Sequence, residues 1–302
     1  MPEKTNLELS GIITPLITPL RPDFTLDDGA LAKIINHAIA GGVSSIFPLG
    51  TTGEFASFSL NFQLDVIKKV CEQVNGRVAV LISITASCVE DTLKLAEMAE
   101  KCNADAVVAT LPFYFSLSQD EISSYFTQIA DNVNLPLYLY NMPGKTKINI
   151  APETVNVLAK HPNIIGLKDS SGDMGYFGTV SKLVEEPGFS LYVGPEEELA
   201  EALKLGAKGG VNGGSNLFPK FYVELFNAFE KGDLAQVDEL QTKVRAFSAA
   251  VYNLTDNPNN YLQGLKAAMS IKGFCEPTLA PPLKALGSAD MERLRIVLND
   301  WT

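Results

Sequence analysis

A lysine ends an apolar segment near the middle of the chain. Lys168 closes the run Asn-Ile-Ile-Gly-Leu-Lys, which has the composition of a buried β-strand. Apolar neighbours disfavour the charged ammonium and lower its pKa, so a neutral amine becomes available to attack a carbonyl carbon and form an imine. Position alone does not distinguish this chemistry from a lysine at the solvated end of a strand.

Two glycines and two threonines follow another apolar segment, in the motif Gly50-Thr51-Thr52-Gly53-Glu54. Glycine allows the backbone to curl so that its N–H groups surround an anion, and the threonine hydroxyls add donors suited to a carboxylate. The motif therefore indicates an anion-binding loop, although a tight turn that caps a helix would use the same residues.

Aromatic residues end two further apolar segments. The sequence YNMP at residues 140–143 places the Tyr140 phenol close to Lys168 if the two segments are successive barrel strands, because such strands are neighbours in space. The sequence PFYF at residues 112–115 is an aromatic loop typical of a subunit contact. Tyrosine at a strand end packs more often than it transfers protons, so both interpretations of Tyr140 stay open.

Few residues are available for metal or histidine chemistry. His37 and His161 are the only histidines, and they fall in a predicted helix and a helix-to-strand connection, where we expect neither a catalytic triad nor a zinc site. The acidic residues Asp169, Asp173 and 196–198 could bind a divalent cation, but carboxylates scattered over loops are usually solvated. We predict no metal site.

Short apolar runs alternate with longer segments of helical periodicity almost from end to end. The predicted strands are residues 11–18, 43–49, 78–84, 105–111, 135–141, 163–168, 190–194 and 209–213. Predicted helices between them include residues 27–40, 60–74, 89–102, 119–132 and 152–160. This order predicts an α/β fold, a (β/α)8 TIM barrel of about 250 residues with its site at the carboxyl ends of the strands. A doubly wound open sheet is the alternative, which the missing G-x-G-x-x-G fingerprint weakens.

The alternation stops near residue 232, and the remaining chain has helical periodicity only. Predicted helices cover residues 234–252, 259–271 and 289–298. We therefore divide the chain into a (β/α)8 barrel catalytic domain at residues 1–232 and a C-terminal three-helix extension, packed on the barrel, at residues 233–302.

Composition argues against several classes of protein. The 302 residues carry a formal net charge of -11 with a pI near 4.8, and nucleic-acid binding would require dense lysine and arginine instead. No apolar run approaches the roughly 18 residues that cross a bilayer, and residues 1–10 lack the apolar core of a secretion signal. We expect a cytoplasmic protein with no membrane or nucleic-acid partner.

Three motifs together resemble the dihydrodipicolinate synthase/N-acetylneuraminate lyase family of class I, Schiff-base-forming aldolases. They are the motif at residues 50–54, Tyr140-Asn141-x-Pro143, and Gly166-x-Lys168-Asp169. They end the second, fifth and sixth predicted strands in the order and spacing of the family. The resemblance runs over nearly the whole chain, including the helical C-terminal part.

The resemblance implies a mechanism for a 2-oxo acid such as pyruvate and an aldehyde partner. Lys168 would form the Schiff base, and Tyr140 would be the general acid and base. Thr51 would pass a proton between Tyr140 and Tyr114, and in the family the tyrosine matching Tyr114 enters from a neighbouring subunit. A homodimer or homotetramer is therefore expected. No cofactor is required, because the covalent imine on Lys168 serves as the electron sink.

The resemblance also implies which residues bind the substrate. The loop that contains Gly50, Thr51 and Thr52 would hold the carboxylate of the 2-oxo acid. The other implied substrate-binding residues are Lys145, Gly194, Gly214, Ser215 and Asn216.

Departures from the family pattern bear on the substrate. Dihydrodipicolinate synthases usually have an arginine that grips the carboxylate of the second substrate, and Lys145 lacks its bidentate fork. Neuraminate lyases usually have serine where Thr51 stands, and the sequence at residues 214–219 is more similar to aldolases of 2-oxo-3-deoxy sugar acids and hydroxy-oxoglutarate. We therefore favour an aldolase of a 2-oxo-3-deoxy sugar acid or 4-hydroxy-2-oxo acid. The alternatives are dihydrodipicolinate synthase, a 2-oxo-3-deoxy acid dehydratase, and a non-catalytic barrel that binds a 2-oxo acid.

Overall fold

The computed structural model describes residue 7, residues 9–299 and residue 301, and in this part of the chain eight parallel strands close into a barrel in sequential order. The strands are β1 (Gly11–Pro15), β2 (Ser45–Phe47), β3 (Ala79–Ser83), β4 (Ala106–Thr110), β5 (Leu137–Asn141), β6 (Ile164–Asp169), β7 (Ser190–Val193) and β8 (Gly209–Val211). Each lies inside a predicted segment or extends it by one residue. The predicted (β/α)8 barrel is confirmed.

Most strands are shorter than the apolar runs that predicted them. β2 covers Ser45–Phe47 within predicted residues 43–49, and Leu49 has a left-handed φ of 58°, which takes it out of the extended conformation. Leu16 is buried beyond the end of β1. Apolar character therefore marks the whole buried segment, of which only the central part pairs as a strand.

Helices surround the barrel and continue beyond it. They are α1 (Asp28–Ala40), α2 (Leu60–Val74), α3 (Val89–Lys101), α4 (Gln119–Asn132), α5 (Pro143–Thr146), α6 (Pro152–Leu158), α7 (Met174–Leu183), α8 (Leu199–Lys204), α9 (Pro219–Glu230), α10 (Leu234–Tyr252), α11 (Asn260–Ile271) and α12 (Ser288–Asn299). The Ser118 hydroxyl accepts from the Glu121 N–H and the Glu121 carboxylate accepts from the Ser118 N–H, a capping box that fixes the start of α4. None of the helices in the described residues is long and apolar enough to span a bilayer.

The barrel interior is filled by side chains from alternate strand positions. These inward residues are Ile13, Phe47, Leu81, Ala106, Val108, Tyr138, Tyr140, Ile165, Tyr192 and Val211. β5 and β6 pair in register, Tyr138 with Gly166 and Tyr140 with Lys168. A Cβ at Gly166 would lie 2.5 Å from the Tyr138 ring, so glycine there makes room for that ring. The same register directs Lys168 to the face that carries Tyr140.

The C-terminal helices are tied to the loop after β2 by a buried ion pair. The Lys266 Nζ on α11 lies 2.5 Å from the Glu54 Oε1, and both side chains are almost completely inaccessible to solvent. The other carboxylate oxygen of Glu54 accepts from the Ala280 N–H at 2.7 Å. The last residue of the Gly-Thr-Thr-Gly-Glu motif thus anchors the loop to the helical segment, a contact that the sequence did not predict.

Substituting Lys266→Met is expected to destabilise the protein by about 3 kcal/mol, because the Glu54 carboxylate stays buried without its cation. The matched control is Lys94→Met, which breaks exposed pairs with Glu90 and Asp91 and should leave the free energy of unfolding nearly unchanged. Urea denaturation monitored by circular dichroism gives both values. Adding Glu54→Gln to Lys266→Met should recover part of the lost stability. Equal losses of stability for Lys266→Met and Lys94→Met would contradict the prediction.

Candidate active site

A cavity of ≈ 270 Å³ opens at the carboxyl ends of the barrel strands. The loops after β2, β5, β6, β7 and β8 contribute to its wall, and so do residues of the C-terminal helical segment. This is the end of the barrel at which the active sites of such folds lie.

Lys168 points into the cavity from the end of β6. Only 7% of its surface is exposed, and its Nζ lies 4.1 Å from the centre of the Tyr140 ring and 5.0 Å from that of Phe47. Burial lowers the pKa of the Lys168 amine, and the neighbouring Tyr140 partly offsets that effect. The two ring faces also favour the cation, but desolvation is the larger influence for a group so deeply buried.

Within the part of the chain that the structure describes, Lys168 is not held in an ion pair. Among the described groups that shift the pKa of its amine, none is a carboxylate. The adjacent carboxylate, that of Asp169, instead accepts from the Asn141 side-chain amide at 2.8 Å and from the Ser171 hydroxyl at 2.8 Å. The amine therefore has access to a cavity and, among the described residues, no permanent counter-ion, and a lysine that forms an imine requires both.

Tyr140 and Thr51 lie beside Lys168, as the sequence predicts. The Tyr140 hydroxyl is 3.2 Å from the Thr51 Oγ1, within hydrogen-bond distance, and both residues line the cavity. Tyr114 does not reach this group within one chain: it is 84% exposed, on a loop with Phe113 and Phe115, and it does not line the cavity.

Three of the residues predicted to bind substrate line the cavity together with Thr51. Thr52 contributes from the loop after β2, and Gly194 from the end of β7, where a side chain would collide with the Ser170 hydroxyl. Lys145 contributes from α5, and its Nζ donates to the Asn259 Oδ1 at 3.1 Å.

The other four predicted substrate-binding residues, Gly50, Gly214, Ser215 and Asn216, do not line the cavity, and their role in substrate binding stays a prediction. Gly50 packs under Phe47, since a Cβ there would be 2.8 Å from that ring. The Gly214 N–H donates to a buried carboxylate at 2.9 Å. The Ser215 hydroxyl donates to the Asn212 carbonyl, and the Asn216 amide accepts from the Ile17 N–H and donates to the Pro15 carbonyl. The Ser215 hydroxyl also lies 3.0 Å from the Thr14 Oγ1 on β1, so Ser215 and Asn216 both connect the turn after β8 to β1 or the residues that follow it.

Glu196 is a residue of the cavity wall that the sequence analysis misjudged. The sequence predicts solvated loop carboxylates at residues 196–198, but Glu196 is only 3% exposed. Its carboxylate accepts from the hydroxyls of Tyr222 at 2.5 Å and Tyr252 at 3.1 Å and from the Gly214 N–H at 2.9 Å. Burial, with the neighbouring Glu197 charge, raises the pKa of Glu196 to about 7. Three consecutive glutamates carry no signal of which one turns inward.

The C-terminal segment supplies wall residues that the sequence analysis missed altogether. They are Tyr252, Pro258, Asn259, Tyr261 and Leu262. Helical periodicity indicates which face of a helix is buried, but not what that face packs against, so no sequence signal identifies them.

The described residues contain no group of three or more His, Cys, Asp and Glu side chains that could hold a metal ion. His37 packs on Phe274, and His161 lies 3.1 Å from the Asp131 carboxylate. His37 therefore contributes to packing, and His161 lies in a partly exposed polar contact.

A closed (β/α)8 barrel with a buried lysine amine beside a phenol, both at the carboxyl ends of the strands, is the arrangement of a class I aldolase. The sequence matches the Dihydrodipicolinate synthetase family over residues 8–300. The chain therefore belongs to this family and is a lyase.

The similar proteins include synthases and an aldolase. The solved dihydrodipicolinate synthase of Bacteroides thetaiotaomicron superposes with a TM-score of 0.94 at 42% identity, over 98% of this chain and 100% of that one. The 4-hydroxy-tetrahydrodipicolinate synthase of Methanospirillum hungatei is 32% identical over 96% of this chain and 99% of its own. A probable 2-dehydro-3-deoxy-D-pentonate aldolase of Escherichia coli strain K12 is 31% identical over 97% of each chain.

Proposed function

We propose that Lys168 forms a Schiff base with a pyruvate-type 2-oxo acid and that the protein makes or breaks a carbon–carbon bond through the resulting enamine. The observation that carries this proposal is the Lys168 amine itself, which is desolvated, open to a cavity and, among the described residues, unpaired with a carboxylate. Desolvation raises the fraction of neutral amine, the form that attacks a carbonyl carbon. No metal or organic cofactor is needed for this chemistry.

The loop after β2 is suited to the carboxylate of the 2-oxo acid. Within the described chain, the N–H groups of Thr51 and Thr52 make no hydrogen bond to other backbone atoms. The Thr52 hydroxyl faces the same cavity as Lys168. Donors of this kind, free and close together, bind a carboxylate.

Tyr140 is the proposed general acid and base. In the cleavage direction, the Lys168 amine adds to C2, and the Tyr140 proton allows the carbinolamine oxygen to leave as water. The Tyr140 phenolate then accepts the proton of the C4 hydroxyl, and the C3–C4 bond breaks. The electron pair of the broken bond enters the imine, which gives an enamine and a free aldehyde. Protonation at C3 and hydrolysis release pyruvate and restore the Lys168 amine.

A second copy of the chain is proposed to complete the proton path. The side chains of Phe113, Tyr114 and Phe115 are 45%, 84% and 74% exposed, which is unusual for three consecutive aromatic residues of a folded chain. A further cavity of ≈ 260 Å³ is lined by Thr51 and Phe113 but not by Lys168. Insertion of Tyr114 from the second copy there would bring its hydroxyl to Thr51, in a homodimer or homotetramer.

For the aldehyde part, we propose a 2-oxo-3-deoxy sugar acid or 4-hydroxy-2-oxo acid as the substrate. Beyond Lys168 the cavity wall carries Ser170, Glu197 and Asn259, which can hydrogen-bond hydroxyl groups. Lys145 provides one positive charge at the mouth without the planar fork of an arginine. This wall is therefore better suited to bind a polyhydroxy chain than to bind the carboxylate of an amino-acid substrate.

Dihydrodipicolinate synthase is the second candidate, and the overall similarity to the Bacteroides thetaiotaomicron enzyme favours it. That reaction would use the same Lys168 imine with aspartate semialdehyde as the aldehyde. The two candidates therefore differ in the distal wall around Lys145 and Asn259, and not in the amine.

A substrate panel tests the proposed function. Pyruvate release is measured from 2-oxo-3-deoxy sugar acids, hydroxy-oxoglutarate and sialic acid, and the synthase reaction is measured with pyruvate and aspartate semialdehyde. We expect release from a sugar acid or hydroxy-oxoglutarate, with little synthase activity. Turnover confined to aspartate semialdehyde would favour the synthase, a dehydrated product without pyruvate would favour a dehydratase, and pyruvate binding without any turnover would favour a non-catalytic barrel.

A further inference from the structure

A phenol from the C-terminal helices contacts the loop that is proposed to bind the carboxylate. The Tyr261 hydroxyl on α11 lies 2.9 Å from the Thr52 Oγ1. The approach requires glycine at position 213, because a side chain there would occupy the position of the Tyr261 hydroxyl. The barrel and the helical segment thus have complementary shapes at this contact.

Tyr261 is held in place from its other side. Its ring packs edge-to-face on the ring of Tyr252 with the centres 4.7 Å apart, and the Tyr252 hydroxyl donates to the Glu196 carboxylate at 3.1 Å. Glu196 is itself fixed by Tyr222 and by the Gly214 N–H. The position of the Tyr261 hydroxyl is therefore determined by packing as well as by its contact with Thr52.

The direction of the Tyr261–Thr52 hydrogen bond follows from the groups available. Burial raises the pKa of Tyr261, so its phenol stays protonated at neutral pH. Within the described residues, the Thr52 Oγ1 is the one acceptor found for this hydroxyl, and a buried O–H without an acceptor is costly. Tyr261 therefore donates to Thr52. The Thr52 hydrogen is then free to point into the cavity.

We propose that Tyr261 is a positioning residue, which orients the Thr52 hydroxyl so that it donates to the carboxylate of the 2-oxo acid. The inference rests on the proposed function, because the ligand is the carboxylate of the acid that Lys168 binds. A hydroxyl that already accepts a hydrogen bond is also a stronger donor, since bonds in a chain polarise one another.

The test is Tyr261→Phe, which removes the donor and keeps the ring. Borohydride trapping on the full-length protein is measured as a function of pyruvate concentration. Half-maximal trapping should require about 10-fold more pyruvate, which is the effect of losing one hydrogen bond to a charged group. The maximal extent of trapping should be unchanged. With an aldol substrate, KM should rise by a similar factor while kcat changes less than about 2-fold. Thr52→Val should shift half-saturation comparably, and the double variant should add little to either single variant, because both remove the same interaction.

Tyr176→Phe is the matched control, since it removes another buried phenol hydroxyl. This hydroxyl does not line the cavity, and it donates to the Ile150 carbonyl over a distance of 2.8 Å. Tyr176→Phe should leave half-saturation unchanged. Trapping by the wild type together with an unchanged half-saturation in Tyr261→Phe, or additive shifts in the double variant, would overturn the inference and leave the proposed function standing. No trapping in the wild type would remove the proposed function itself.

Discussion

Replacing Lys168 with alanine is expected to lower the turnover number by at least about 10⁴-fold, because the covalent intermediate can no longer form. Borohydride added with pyruvate should trap an adduct of one reduced pyruvate per chain in the wild type, and peptide mass spectrometry should locate it at Lys168. Arginine at this position should be equally inactive, since its guanidinium stays protonated and is not a nucleophile at neutral pH.

Two lysines near the cavity provide controls for the trapping experiment. Lys145 lines the cavity mouth, and Lys147 is exposed on the segment that follows it. Lys147→Ala should keep both the adduct and the activity, and Lys145→Ala should keep the adduct while it weakens binding of the aldehyde part. An adduct that persists in Lys168→Ala, or one located on Lys145, would contradict the assignment of the Schiff-base lysine.

Strand order predicts that Tyr140 lies beside Lys168, because their strands are consecutive in one barrel, whereas the contact of Thr51 with Tyr140 is implied by the family resemblance. Parallel strands place all their carboxyl ends on one rim, and consecutive strands are neighbours, so position in the chain translates directly into position in space. The in-register pair of Tyr140 with Lys168 is the structural form of that rule.

Strand-end position does not determine the direction of a side chain, which depends on other parts of the chain. Ser215 and Asn216 follow a barrel strand, yet their side chains contact β1 or the residues that follow it. A strand-end position therefore predicts proximity to the site but not participation in it. Whether a side chain faces the cavity depends on the turn that follows the strand.

Residues that reach the site from outside the barrel were beyond prediction. Tyr261 and Asn259 belong to the helical segment, whose docking depends on the buried Glu54–Lys266 pair and on the space left by Gly213. Each of these contacts joins residues that are far apart in sequence, and no local pattern records them. A single sequence therefore predicts the reacting amine more readily than the wall that selects its substrate.

Tyr140→Phe is expected to lower kcat by about 10³-fold, within the range of general acid–base contributions, and to slow imine formation with pyruvate without abolishing it. The ring that packs against Lys168 remains, so the environment of the amine is kept while the proton donor is lost. Tyr138→Phe is the matched control on the same strand, because Tyr138 also points into the barrel but does not line the cavity. Its kcat should stay within about 3-fold of the wild type, as expected for a residue outside the chemistry.

A double-mutant cycle separates a proton path from two independent contributions. If Thr51 acts on the reaction through its hydrogen bond to Tyr140, Thr51→Val should lower kcat by about 10-fold in the wild-type background and by much less in Tyr140→Phe. The cycle is measured on kcat under saturating substrate, so that any effect of Thr51 on carboxylate binding does not enter. Losses that simply multiply would show that Thr51 contributes independently of Tyr140, and the proton path through Thr51 would then be wrong even with Tyr140 as the general acid and base.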